Sequence, residues 1–183
     1  MIFFRFFILL AFGSLNILNI QMTFAQESEE DLEKKVKSAY IFKFGNYVTW
    51  PEKTFADSLS PIIIGVLGDE PIAKELEKIA ASHKTANRPV IVKRLKANDN
   101  FSVVHILYVS NPLMKQLATY QQTLQSPPTL YITDSLEGIK EGGVINFVKD
   151  DNRIRFDISI PAAELNKIHL DASLFTVAKN VLK

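Results

Sequence analysis

The sequence predicts an α/β fold, a mostly parallel β-sheet layered by helices. Several short apolar runs have the length and composition of strands that are covered on both faces. Segments with a 3.6-residue hydrophobic period lie between these runs. Near the C-terminus, two alternating segments flank a polar turn, which predicts an antiparallel β-hairpin. Strands that alternate with helices are typical of a sheet with helices packed on it.

The first 25 residues predict a secretory signal peptide. Arg5 precedes an apolar stretch, and Thr23 and Ala25 place small residues at positions −3 and −1 before Gln26. Gly13 and several polar residues interrupt the apolar run, which disfavours the alternative of an uncleaved membrane anchor. We therefore expect cleavage after Ala25 and a mature chain outside the cytoplasm, with residues 26–183 forming a single domain.

Composition narrows the classes of partner. Of 183 residues, removal of 25 leaves 158, enough for one domain with a hydrophobic core. Loss of Arg5 lowers Lys plus Arg from 21 to 20, equal to the 20 Asp plus Glu. A balanced charge argues against nucleic acid or an anionic membrane as the main partner. The absence of cysteine excludes a lipid anchor on cysteine, a disulfide, a thiol nucleophile and a thiolate zinc site.

The first helix is expected to begin after Ser28, a good N-cap residue followed by three acids, and to end at Pro51. The period places these residues on its inner face: Leu32, Val36, Ala39, Tyr40, Phe44, Tyr47 and Val48.

The central segments predict four strands and two helices. The strands cover residues 61–67, 90–95, 105–109 and 129–133. One helix follows the turn at residues 68–71, and another begins at residues 110–112. A short helical turn is expected at residues 136–140, and irregular connections at residues 54–60 and 96–102. Inner positions of the two helices are Ile72, Leu76, Ile79 and Ala80, then Leu113, Leu117, Tyr120 and Leu124.

The C-terminal part predicts a hairpin and then two helices. Residues 144–149 and 153–159 form the hairpin, which adds antiparallel edge strands. The helices are expected over residues 161–167 and 171–182. The last helix would turn these side chains inward: Leu174, Val177, Ala178, Val181 and Leu182.

Short polar groups follow three of the strands. They are Gly68 with Asp69, Ser110 with Asn111, and Asp134. Ligands of parallel sheets bind at the carboxyl ends of strands, so these five residues are the candidate ligand site. The alternative is structural, since Asp, Ser and Asn are favoured helix caps and turn residues.

The second hairpin strand offers a candidate partner surface. Arg153, Arg155 and Asp157 share one face by the strand's period of two. Two arginines beside an acid are suited to a carboxylate, a phosphate or a docking protein. The alternative is a charged edge that discourages sheet-to-sheet aggregation.

No residue pattern predicts catalysis, a metal or a cofactor. His83, His105 and His169 are scattered, and no HExxH, GxSxG, Walker or GxGxxG motif occurs. His105 lies in an apolar strand and is expected to be a core residue. A hydrolase that paired His105 with Ser110 is disfavoured, because five strand positions separate them by about 16 Å.

Six stretches of the chain carry a family resemblance through their order and spacing: KVKSAYIFKFGNYVTWPEKTF (35–55), IIIGVLGDEPI (62–72), RPVIVKRL (88–95), HILYVS (105–110), GGVINFVKDDNRIRFDISI (142–160) and LDASLFTVAKNV (170–181). On these stretches the chain resembles the YfiR-like family of periplasmic proteins. The resemblance implies a Rossmann-like, three-layer α/β sandwich that is secreted and often dimeric, with a regulatory rather than a catalytic role.

The same resemblance implies a kind of partner. Members are similar to inhibitors that bind the periplasmic domain of an inner-membrane signalling protein. In the best-known arrangement that protein is a diguanylate cyclase, which links the family to cyclic-di-GMP and biofilm formation. A sensor kinase is the other partner class. A small-ligand sensor using the strand ends is the competing hypothesis, and the two are compatible if a ligand releases the partner.

Overall fold

The computed structural model describes residues 28–96, 99, 103–116 and 128–183, so the predicted signal peptide lies outside the described residues. The described strands, in chain order, are β1 (Val48–Thr49), β2 (Ile62–Leu67), β3 (Val90–Leu95), β4 (Ile106–Val109), β5 (Leu130–Thr133), β6 (Ile145–Asp150), β7 (Arg153–Ser159), β8 (His169–Leu170) and β9 (Asn180–Leu182). The described α-helices are α1 (Glu29–Phe44), α2 (Glu70–Ala80), α3 (Ile160–Leu165) and α4 (Ala172–Val177).

The main sheet is mixed and mostly parallel, which confirms the predicted fold class. Its seven described strands run in the order β3-β2-β4-β5-β6-β7-β9. Only the β6–β7 hairpin is antiparallel in this sheet. Strands β2, β4 and β5 are almost fully buried, as their continuous apolar sequences predict. A second, two-stranded sheet pairs β1 with β8.

Helix α1 begins as predicted but ends earlier. The Ser28 hydroxyl accepts from the Asp31 N–H, and the Asp31 carboxylate accepts from the Ser28 N–H, which completes a capping box. Beyond Phe44 the chain makes one 3₁₀ turn and then enters β1. The prediction of a helix up to Pro51 was wrong, because the backbone at Val48 and Thr49 pairs with β8 instead of continuing the helix.

The buried face of α1 also differs from the predicted one. Leu32 is 55% exposed and Ala39 is exposed, although both were expected to face inward. The helix packs against both the sheet and α2, so its buried side is set by two neighbours. The residues that it buries are Lys37, Ser38, Ile41, Phe42 and Phe44.

Helix α2 and the next connection follow the prediction in part. Asp69 caps α2, and Ile72 and Leu76 are buried as expected. The segment that starts at residue 111 forms a 3₁₀ helix, Asn111–Gln116, where an α-helix was predicted. Its further inner positions, Leu117, Tyr120 and Leu124, lie outside the described residues.

The C-terminal hairpin forms as predicted. Its two-residue turn places Asp151 at φ 44° and Asn152 at φ 60°, the conformation of a type I′ turn. However, β7 is not an edge strand, because β9 pairs with it in parallel. The predicted last helix was therefore wrong beyond Val177, and Val177 and Leu182 are exposed rather than inward-facing.

Aromatic rings join α1 to the hairpin. Phe44 meets Phe156 edge-on with 5.0 Å between ring centroids, and Tyr40 meets Phe156 at 5.6 Å. Phe147 lies next to Tyr40 and Phe44 in the same cluster. This packing holds α1 over the sheet and brings its side chains to the ends of the strands.

Candidate functional site

The polar groups predicted at the strand ends lie side by side. Strands β2, β4 and β5 are parallel neighbours, and Leu67, Val109 and Thr133 are aligned across them. The residues that follow these three form one row at the carboxyl edge of the sheet. We call this row, with the α1 side chains that reach it and Tyr108 of β4, the strand-end cluster. Its members are Glu33, Lys34, Lys37, Gly68, Asp69, Tyr108, Ser110 and Asp134.

Gly68 and Ser110 meet within this row. Gly68 has φ +83°, a conformation that favours glycine, and a Cβ there would clash with the Ser110 hydroxyl. The Ser110 hydroxyl is buried and forms no hydrogen bond with the described residues. The two strand ends are thus packed directly against each other, with one polar atom left unsatisfied between them.

Asp69 is both a helix cap and an ion-pair partner. One carboxylate oxygen accepts from the Ile72 N–H at 3.1 Å, which is the cap that the structural alternative predicted. The other accepts from the Lys34 ammonium at 2.6 Å. Both oxygens of this buried carboxylate are therefore already engaged within the chain.

Asp134 is held by a buried lysine. The Lys37 ammonium donates to Asp134 at 2.6 Å and also to Glu33, and the Lys37 side chain is only 5% exposed. The Tyr108 hydroxyl donates to the same Asp134 oxygen at 3.2 Å. Helix α1 thus neutralises two of the three strand ends, Asp69 through Lys34 and Asp134 through Lys37.

Electrostatics favour the charged ion pair. Burial alone would lower the pKa of Lys37, but hydrogen bonds to Asp134 and Glu33 outweigh burial and raise it above its ordinary value. The hydrogen bond from Lys37 is the main cause that lowers the pKa of Glu33. Burial, with the negative charge of Asp134, raises the pKa of the Tyr108 phenol. Lys37 is therefore a protonated cation near neutral pH, and Tyr108 is a neutral donor.

An open cleft lies beside the Asp134 end of the cluster. Its volume is about 630 Å³, and Asn111, Asp134 and Ser135 contribute polar groups to its wall. The Ser135 hydroxyl is shielded from solvent and has no hydrogen-bond partner among the described residues. Leu136 and Ile139 supply apolar surface. The exposed Asn111 reaches this cleft, whereas Gly68 and Asp69 lie along the wall of a separate groove.

The three predicted partner-binding residues have different surroundings. Arg155 donates to the carbonyls of Val177 and Ala178 at 3.4 Å, and Asp157 accepts from the Asn180 amide at 2.8 Å. Both side chains thus contact the segment that leads into or forms β9. The Arg153 side chain is exposed and makes no hydrogen bond or ion pair with the described residues, although its backbone pairs with Asp150 in the hairpin. Of the three side chains, only that of Arg153 is unengaged within the described part of the chain.

His105 is a buried, neutral core residue. Its Nδ1 accepts from the Ile63 N–H at 2.9 Å, and its ring stacks on Phe55 with 4.6 Å between centroids. Burial lowers its pKa to about 4. Across residues 28–96, 99, 103–116 and 128–183, no group of three His, Asp or Glu side chains is arranged to hold a metal ion.

Sequence reasoning missed the two lysines and Tyr108. Lys34 and Lys37 are three positions apart on α1 and so share a face, which was the one available signal. The apolar period had placed the inner face elsewhere on the helix. Only the packing of α1 over the strand ends showed that these lysines point at Asp69 and Asp134.

The fold and this cluster define a mostly parallel α/β protein whose polar strand ends are neutralised by its own first helix. The chain belongs to the YfiR/HmsC-like family, whose profile matches residues 34–179. The match includes Lys34 and Lys37 and ends just before β9. This family is periplasmic and regulatory. No curated protein matches the sequence. Within the described parts of the chain, no helix is both long enough and apolar enough to cross a bilayer.

Proposed function

We propose that this protein is a periplasmic regulator that loses residues 1–25 and then represses an inner-membrane signalling protein. It would bind the periplasmic domain of that protein and favour its inactive state. A diguanylate cyclase is the favoured partner class, and a sensor kinase is the alternative. The observation that carries the proposal is the family match over residues 34–179, nearly the whole expected mature domain.

The chemistry of the strand-end cluster supports binding rather than bond-breaking. Lys37 is protonated and paired, and a protonated lysine is a poor nucleophile or base. The Nδ1 atom of His105 is occupied by a backbone hydrogen bond. An inhibitor requires only that its affinity for the inactive state of its target exceed its affinity for the active state. Such a preference can be supplied by surface contacts alone.

The test is deletion of the gene in its own host. The cyclic-di-GMP level, measured by mass spectrometry of cell extracts, should rise several-fold in the deletion strain. Expression of the full-length gene should return it to the wild-type level. A version of the protein that lacks residues 2–25 should leave the nucleotide level high, because this version would stay in the cytosol. An unchanged nucleotide level, together with unchanged phosphorylation of the host's sensor-kinase pathways, would contradict the proposal.

The second candidate function is small-ligand sensing. The cleft of about 630 Å³ beside Asp134 favours it, because it combines apolar walls with Asn111 and the unpaired Ser135 hydroxyl. A panel of nucleotides and amino acids would be screened by thermal shift. A ligand at 100 times its Kd should stabilise the fold by about 2.7 kcal/mol. Ser135→Ala should weaken that shift, while Ser58→Ala on a distant loop should not.

A further inference from the structure

A second surface feature lies between α1 and the hairpin. It is a groove of about 400 Å³ whose walls come from the outer side of α1 and from the ends of β6 and β7. We call it the α1–hairpin groove. Its lining residues run along α1 from Glu29 to Tyr40, a length of about 16 Å at 1.5 Å per residue.

The wall of this groove on α1 is an apolar stripe. Leu32, Val36 and Tyr40 are spaced four positions apart and all line it, with Ile154 of β7 on the opposite wall. Leu32 is 55% exposed, and Val36 and Tyr40 are half-buried. An apolar stripe of this length, left open beside a helix, is the kind of surface that receives another helix.

Charged side chains line the groove close to the hairpin turn. An ion pair between Lys149 and Glu29, 2.9 Å long, joins the hairpin to the first turn of α1. Arg153 lines the groove near the hairpin turn and has no ionic partner among the described residues. Arg155 also lines the groove, but its guanidinium donates to the carbonyls of Val177 and Ala178. The groove therefore presents the free positive charge of Arg153 beside its apolar stripe, which complements an acidic side chain of an incoming segment.

We propose that the α1–hairpin groove receives an amphipathic helix of the regulated protein, with apolar residues on Leu32, Val36 and Ile154 and an acidic residue on Arg153. This inference rests on the proposed function, because it names the surface that the partner contacts. Contact over about three turns of helix would match the length of the stripe on α1. The expected partner segment is thus a helix with apolar residues along one face and an acidic residue beside that face.

The cellular test compares variants in the deletion strain. Leu32→Glu and Arg153→Glu should lose most repression, whereas Arg153→Lys should keep it because the charge remains. The matched control is Leu59→Glu, since Leu59 is 79% exposed in a loop away from the groove. Periplasmic protein level and Tm are measured for each variant. Normal repression by a folded Leu32→Glu variant would overturn the groove assignment.

A second test uses a defined probe and does not depend on the proposed function. Two labelled 18-residue peptides of Leu and Ala are made with the same helical pattern, one with Glu and one with Lys at its polar positions. Fluorescence anisotropy should show the Glu peptide binding at least tenfold more tightly than the Lys peptide, with loss in Leu32→Glu and retention in Leu59→Glu.

The outcomes separate the two ideas. If deletion leaves signalling unchanged but the Glu peptide binds as expected, the proposed function fails and the groove assignment stands. If both peptides bind equally, or if Leu32→Glu binds like the unmodified protein, the groove assignment fails. A dimer in light scattering that Leu32→Glu abolishes would assign the groove to a second copy of the chain and overturn the proposal.

Discussion

Lys37 lies inside the protein with its charge intact because two carboxylates reach it. Its ammonium donates to Asp134 and to Glu33, and α1 holds it over the carboxyl edge of the sheet. Removing one member of a buried ion pair is costly, since the remaining charge keeps its desolvation and loses its partner. The cost is moderated here because Asp134 is 28% exposed.

We predict that Lys37→Met destabilises the protein by about 2–3 kcal/mol, measured by urea unfolding. Lys78→Met is the matched control, because Lys78 is 57% exposed and forms a surface pair with Glu75. That control should change stability by less than about 0.5 kcal/mol. Equal effects of the two substitutions would show that the buried pair has no special role.

His105 is the other buried ionisable group with a clear consequence. Its imidazole is neutral in the folded protein, because burial lowers its pKa from 6.5 to about 4. The unfolded chain binds a proton at this residue near pH 6.5, before the folded protein does. The contribution of neutral His105 to the free energy of unfolding is therefore fully present above pH 6.5, and it is lost as the pH falls towards 4.

We predict that the free energy of unfolding falls by about 3 kcal/mol between pH 7 and pH 4 because of His105. His105→Asn keeps an acceptor for the Ile63 N–H and should remove this part of the pH dependence. His83→Asn, at an exposed site, should retain it. A pH profile of His105→Asn that parallels the unmodified protein would contradict the assignment.

At the scale of elements, β9 is the unexpected one. The Lys179 N–H donates to the Phe156 carbonyl at 2.8 Å, and Ile158 and Val181 are aligned in the parallel register. Parallel ladders repeat every second residue, so the Val181 N–H is the next donor to β7. The strand also shields part of the edge of β7, which would otherwise be open to other chains.

Val181→Pro should therefore destabilise the protein, because proline cannot donate to the ladder. We expect a loss of about 1–3 kcal/mol in urea unfolding, together with a greater tendency to aggregate. Lys183→Pro is the control, since residue 183 lies beyond the strand, and it should leave stability unchanged. An unaffected Val181→Pro variant would argue against β9.

At the scale of the whole molecule, export decides which partners are available. The expected cleavage after Ala25 would start the mature chain at Gln26, two residues before the Ser28 cap of α1. The protein purified from the periplasm should have the mass of residues 26–183, measured by intact mass spectrometry. A full-length mass in the membrane fraction would instead favour the uncleaved anchor.

Local patterns predicted most of the sheet. Residues 90–95 and 153–159 were predicted as strands with the bounds that the structure has, because a buried or alternating strand has a distinct composition. The Ser28 and Asp69 caps were also predicted, since capping depends on residues close in sequence. Helix was wrongly predicted for residues 48–49 and 180–182, whose apolar spacing fits a helix although their backbones pair with distant strands.

The sequence alone determined the α/β class and the polar groups that follow β2, β4 and β5, because these depend on residues that are close together in the chain. It also determined the family, which depends on the order and spacing of such local stretches along the chain. Only the tertiary structure decided that Lys34 and Lys37 neutralise this row, that β9 covers β7, and that Leu32 faces an open groove. These features depend on contacts between distant segments, such as Lys37 with Asp134, 97 positions apart, and Glu29 with Lys149, 120 positions apart. Such contacts are set by the packing of helices on the sheet, which no local period records.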